Sequence, residues 1–328
     1  MEGRGYILVN SAPIPPGEQA APPPETEWRQ RFEAWRTFLA QCASKPNRKS
    51  VHALRALTLR LQVGLAHTLE TADDPAAARA FQRWKKDAKK LRKALQPVRD
   101  ADVYLDRLDS LRQLPEGHAP LSLSCAREIG KLEKRLRQER LTAIEGLAVV
   151  FGKRGKRLNR LSQELEAALT PALLHGAPST AAAALRIFAA AASELPRLDA
   201  ANLHEYRKRL KPALYLAEIS ASADPLASRL TAEFRKIQDT VGEWHDWHAL
   251  GQKADDIFPG HGQPDGLVSL LQTQAEAALK RALGLCRRST ARYRKYASKT
   301  RTSRRKKPIA AERGVPLEEN DPEAEICD

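Results

Sequence analysis

Across residues 28–298, apolar residues recur at three- and four-residue spacing, strict alternation is absent and β-branched residues are few. That is the periodicity of amphipathic helices. Helices are predicted near 27–43, 49–70, 76–95, 98–113, 122–150, 156–170, 179–195, 199–220, 225–250 and 265–296, an all-α chain. The breaks carry helix-stopping chemistry: Asp73-Asp74-Pro75, Pro115-Glu116-Gly117, Pro171, Pro178, Pro196 and Phe258-Pro259-Gly260. Several of these helices are long, which favours bundles over a solenoid of short repeats.

Three helices show what faces where. Leu54, Leu57, Leu61 and Leu65 form one stripe, with His52, Arg55 and Arg60 away from it. Trp84, Ala88, Leu91, Leu95 and Val98 form a second stripe. Around it Lys85, Lys86, Lys89, Lys90, Arg92 and Lys93 leave Asp87 as the only acid between Trp84 and Val98. A solvated helix gains a few tenths of a kcal/mol from each mixed i,i+4 pair, whereas Lys86/Lys90 and Lys89/Lys93 are like-charged. Such a face gives up local stability, as expected where an anion sits beside it. On the third helix His204, Arg207, Lys208, Lys211 and Tyr215 share one face, and Tyr206, Leu210, Ala213 and Ala217 the other. Pro212 lies inside it and removes a hydrogen bond or kinks it.

Composition narrows the class. The 328 residues carry a formal charge of +15 with 5% aromatics, too few for binding mainly by stacking. Residues 1–27 are Pro-rich, carry −3 and read as a disordered leader; the basic-then-acidic tail, 299–328, is neutral overall. Residues 28–298 therefore hold +18, so the excess belongs to the folded part rather than to an arm. Four scattered cysteines without a C-x-x-C pair exclude a disulfide scaffold and a zinc ribbon, and fit a reducing cytoplasm. The longest apolar candidate, Ala181 to Ala192, is broken by Arg186 and is too short to span a membrane, and MEGRGYILVN is too short for a secretory signal.

Two blocks match each other. His52-Ala-Leu-Arg55 pairs with His204-Glu-Tyr-Arg207, and Val98-Arg99-Asp100-Ala101-Asp102-Val103 pairs with Trp244-His245-Asp246-Trp247-His248-Ala249. This internal repeat predicts two halves of about four helices each, about 28–175 and 176–298.

The segments VHALRALTLRLQ, LRKALQPVRDADVYLDRL, LHEYRKRLKPALYLAE and IQDTVGEWHDW, in that order, resemble the CHAD family, the conserved-histidine α-helical domain. The resemblance implies two pseudo-symmetric antiparallel four-helix bundles around a basic groove or pore. It also implies binding of inorganic polyphosphate, association with polyphosphate granules and their other proteins, and a bacterial, cytoplasmic setting. It places His52 and His204 at the family histidines, with Arg55, Arg60, Arg207, Lys208 and Lys211 as the basic positions after them and Tyr215 closing the second block. Leu59, Gln62 and Leu214 stand where the family usually has basic residues. Lys131 and Arg135 complete the candidate polyphosphate-binding set with the 85–93 face.

The chemistry fits a polyanion without bases: Arg offers fork-shaped bidentate bonds, Lys a point charge, and affinity falls with salt as counterions are released. Helices that converge with like charge repel when empty. His52 and His204 are read as phosphate hydrogen-bond donors, because no Ser or Cys nucleophile pairs with them at a suggestive spacing. His245 and His248 match an i,i+3 metal spacing, but their place in the repeat-closing block favours a structural role, and no metal or cofactor is expected. Arg99, Asp100 and Asp102 are read as structural, and Trp84, Trp244 and Trp247 as core. No Gly-rich phosphate loop occurs. A non-enzymatic polyphosphate binder is expected. Its competitors are a nucleic-acid-binding helical protein, which would use residues 299–307, and a metal-dependent phosphoanhydride hydrolase, which would need carboxylates on the basic faces.

Overall fold

The structure, a computed structural model, describes residues 24–70, 72, 74–113, 121–170, 173–174, 178–259 and 266–304. Among the described residues it holds eight α-helices and no strand: α1 (Pro24–Ser44), α2 (Arg48–Glu70), α3 (Pro75–Arg112), α4 (Leu123–Ala168), α5 (Thr180–Glu194), α6 (Leu203–Ile219), α7 (Pro225–Ile257) and α8 (Leu267–Arg304). Most of the expected leader and of the acidic tail lies outside the described residues; α1 begins within the expected leader and α8 runs to Arg304.

The helix starts use side-chain oxygens to satisfy free backbone N–H groups. Asp74 accepts from Ala76 and Ala77 ahead of α3, Ser122 from Cys125, Ser179 from Ala182 and Asp224 from Leu226. Pro75 and Pro225 stand at the first helical position, where the missing N–H costs nothing.

Two helices are longer than the sequence pattern predicts. The expected pair 76–95 and 98–113 is one helix, because Pro97 is exposed and water can serve the carbonyl it leaves without a donor. Leu91, Leu95 and Val98 keep one buried stripe through it. The expected pair 122–150 and 156–170 is likewise α4 alone. Gly152 and Gly155 cost about 1 kcal/mol each in propensity, while Leu147, Phe151, Leu158, Leu161 and Leu165 hold a continuous buried face.

α3 and α4 form an antiparallel hairpin fastened along its length. Arg83 meets Glu164 at 3.3 Å, and Asp87 takes both Arg154 and Arg157 at 2.8 Å. Asp102 takes Arg140 at 2.5 Å, and Arg112 meets Glu133 at 2.5 Å. Two hydrophobic clusters lie along this hairpin. One joins Trp28, Phe32 and Trp35 of α1, Leu54 and Leu61 of α2, Trp84 and Leu91 of α3 and Leu158 and Leu165 of α4. The other joins Leu108 and Leu111 of α3 and Ile129, Leu132 and Leu136 of α4 to Phe188, Tyr206, Phe234 and Leu271 of the last four helices. Trp84, Trp244 and Trp247 are core residues as expected. Between the clusters α2 packs on α6 and α3 on α7.

Candidate functional site

Where α2 meets α6 and α3 meets α7, a cavity of about 310 Å³ opens. It is lined by Arg55 and Arg60 of α2, Gln96 and Arg99 of α3, and Arg207, Lys211, Leu214, Tyr215 and Glu218 of α6. Arg235, Gln238, Asp239 and His245 of α7 close it. Six cations from four helices face two carboxylates.

Packing fixes several of these side chains. Gly242 is buried on α7, and a Cβ there would stand 3.0 Å from an Arg207 guanidinium nitrogen. The glycine thus lets Arg207 lie flat against the helix. The Gln238 amide donates to the Arg207 carbonyl at 2.8 Å, in the turn just before Pro212, through which α6 continues unbroken. Arg60 donates to Glu218 through Nε at 2.6 Å and a terminal nitrogen at 3.3 Å, and its guanidinium lies 5.7 Å from the Tyr215 ring centre. Arg235 reaches the same carboxylate at 2.7 Å. Burial pushes the Tyr215 phenol up against the pull of Arg60 and Arg55, so its O–H stays a donor. Burial also pushes the Asp239 carboxyl up, against the pull of Arg235 and Arg207.

Arg99 bonds Asp100 at 2.9 Å and approaches Asp246 at 3.5 Å, and Arg107 approaches Asp246 at 3.6 Å. Burial alone would raise Asp246, but His245 and the arginines Arg99, Arg207 and Arg107 outweigh it and hold the carboxyl below its ordinary value. The repeat-closing Asp100, Asp102 and Asp246 therefore all bond arginine, the structural role expected of Asp100 and Asp102.

His52 and His204 stand one turn before Arg55 and Arg207 and do not themselves line the cavity. His204 stacks on His245, ring centres 4.4 Å apart. His52 Nε2 lies 3.9 Å from Asp102 Oδ2, and its pKa is lowered by burial and by Arg99, with Asp102 pulling the other way. His245 faces the cavity, whereas His248 stacks on Trp244, and burial lowers its pKa. Among the described residues no cluster of His, Cys, Asp and Glu is placed to hold a metal.

The α3 basic face divides into two. Lys85, Lys89 and Arg92 are half-buried and lie on one stripe that continues through Gln96 to Arg99 at the cavity. Lys86, Lys90 and Lys93 are exposed on another stripe. Lys208 turns to Glu205 at 3.7 Å, and the exposed Lys131 and Arg135 sit on α4, with Arg135 bonded to Glu139. Lys208, Lys131 and Arg135 do not line the cavity. A second cavity, of about 480 Å³, is charge-balanced: Arg48, Arg137 and Arg140 face Asp102, Asp106 and Asp109.

Sequence reading missed Gln96, Arg99, Glu218, Arg235, Gln238, Asp239 and His245 as lining residues. A signal was present for some of them. Arg99 and His245 hold corresponding positions in the two matched blocks, and Arg235, Gln238, Asp239, Gly242 and His245 share one face of α7 at helical spacing.

No helix among the described residues is long and apolar enough to cross a membrane. No curated protein matches this sequence. The fold is similar to the crystal structure of the CHAD domain from the plant Ricinus communis, at 16% identity and a TM-score of 0.55, over 78% of this chain and 84% of that one. The profile of the CHAD domain matches residues 27–255, and on that match the chain belongs to the CHAD domain family.

Proposed function

We propose that the chain binds inorganic polyphosphate in the cavity between α2, α3, α6 and α7 without turning it over, and acts at polyphosphate granules in the cytoplasm. The observation that supports this is the convergence of Arg55, Arg60, Arg99, Arg207, Lys211 and Arg235 on one concave site. An elongated anion gains from many cations at once, while the cations lose the mutual repulsion of the empty state. The half-buried Lys85, Lys89 and Arg92 give the chain a path out of the cavity along α3.

The test is titration calorimetry with polyphosphate at about 50 and 200 mM salt. Micromolar or tighter binding at low salt, weakening steeply at high salt and lost in a His204→Ala/Arg207→Ala/Lys211→Ala variant, is the expected result. No binding at low salt would overturn the reading. Duplex DNA competing at equal phosphate concentration, with binding lost on deletion of residues 299–328, would favour nucleic acid instead. Phosphate release in the presence of Mg²⁺ or Mn²⁺ would replace the binding role with hydrolysis.

A further inference from the structure

Glu218 lines the cavity with a charge that opposes the ligand, and its hydrogen-bond partners Arg60 and Arg235 are cations of the same site. Its side chain is only 9% exposed. It accepts a two-pronged bond from Arg60 of α2 and a bond from Arg235 of α7. These are the geometries in which arginine holds a phosphate oxygen pair. The carboxylate therefore occupies donors that an incoming phosphate would use.

Its position is costly in two ways. Glu218 is next to the end of α6, where the helix dipole disfavours a negative side chain. It also lowers the positive potential of a cavity meant for an anion. Asp239, one turn beyond Arg235 on α7, faces the same cavity and adds to that opposition.

We propose that Glu218 is a built-in competing anion that sets a minimum chain length for the ligand, an inference that rests on the polyphosphate reading above. Replacing one anion by another at Arg60 and Arg235 gains little. A single phosphate exchanges with the carboxylate and stops there. A chain of several phosphates reaches Arg55, Arg207 and Lys211 at the same time, and those added contacts drive the exchange. Between ligands, Glu218 keeps Arg60 and Arg235 compensated, so the site is held together by the group that the ligand displaces. The selectivity is for oligomeric over monomeric phosphate, with no contact that measures length directly.

The experiment compares wild type with Glu218→Gln, which keeps an acceptor for both arginines and removes the charge. Affinities for orthophosphate, tripolyphosphate and long-chain polyphosphate are measured at low salt, with melting temperatures in the absence and presence of tripolyphosphate. Wild type should bind long chains far more tightly per phosphate than orthophosphate. In Glu218→Gln every ligand that takes Arg60 and Arg235 should gain by a similar factor, about tenfold, one order of magnitude in the equilibrium constant, so that shorter chains bind at a concentration where wild type holds only longer ones. The ligand-free variant should melt lower and recover with tripolyphosphate. A wild type whose affinity per phosphate does not depend on length overturns the proposal without any variant. A variant in which the shortest chain bound at that concentration is unchanged overturns it while leaving polyphosphate binding in place. Absence of all binding in wild type removes both readings together.

Discussion

At the residue scale, two buried glycines divide structure from function. A Cβ on Gly64 would stand 2.7 Å from both Ile219 Cδ1 and Trp28 Cη2, inside packed helices. Gly64→Ala should therefore destabilise by about 1–3 kcal/mol, the usual cost of overpacking, seen as a lower urea midpoint. A Cβ on Gly242 meets only the tip of Arg207, which can swing away. Gly242→Ala should keep or raise stability, since Ala gains about 1 kcal/mol over Gly in a helix, yet weaken polyphosphate binding severalfold by displacing the guanidinium. Calorimetry and denaturation together check that opposite pair of signs. His52 supplies a pH dependence. Its folded pKa is depressed, by burial first and then by Arg99, so the unfolded chain takes up its proton more readily. The stability this group contributes is fully present above its ordinary pKa of about 6.5 and is lost as pH falls below that value. Thermal melts between about pH 7.5 and pH 5 should fall less steeply for His52→Gln than for wild type.

At the element scale, the α3–α4 hairpin carries the largest difference between pattern and structure. Pro97, Gly152 and Gly155 are legitimate helix-breaking signals, and each is overridden because the apolar register on both sides is unbroken. The basic helix faces were legible because H-x-x-R sets Arg55 and Arg207 by local spacing alone. The pairing of Arg60 with Glu218 was not, since 158 residues separate them and helix periodicity says nothing of what a face meets. The same limit hid the destination of the α3 lysines. Their single-signed face is real, but Asp87 within it is only 3% exposed and belongs to Arg154 and Arg157 on α4. Asp87→Ala should cost about 2–3 kcal/mol in thermal denaturation, less than a fully buried pair because both arginines reach solvent.

At the scale of the whole molecule, the excess of +18 lies on residues 28–298 rather than on the termini, and part of it is gathered at a cavity and along the helix leading from it. Deleting residues 299–328 should then leave polyphosphate affinity nearly unchanged, a titration at low salt being the check. The second consequence concerns the two clusters. Leu108, Leu111, Ile129, Leu132 and Leu136 lie early in the chain, yet their apolar partners are Phe188, Tyr206, Phe234 and Leu271, made later. A nascent chain leaving the ribosome can complete the cluster around Trp35 and Trp84 once α4 is out. The other end of the same hairpin still shows a bare leucine face, and it stays bare until α5 to α8 emerge. Ribosome-bound chains arrested when α4 has just cleared the exit tunnel should accordingly bind a hydrophobic dye or a chaperone that the finished protein ignores, the time to synthesise its last helices being the interval of risk.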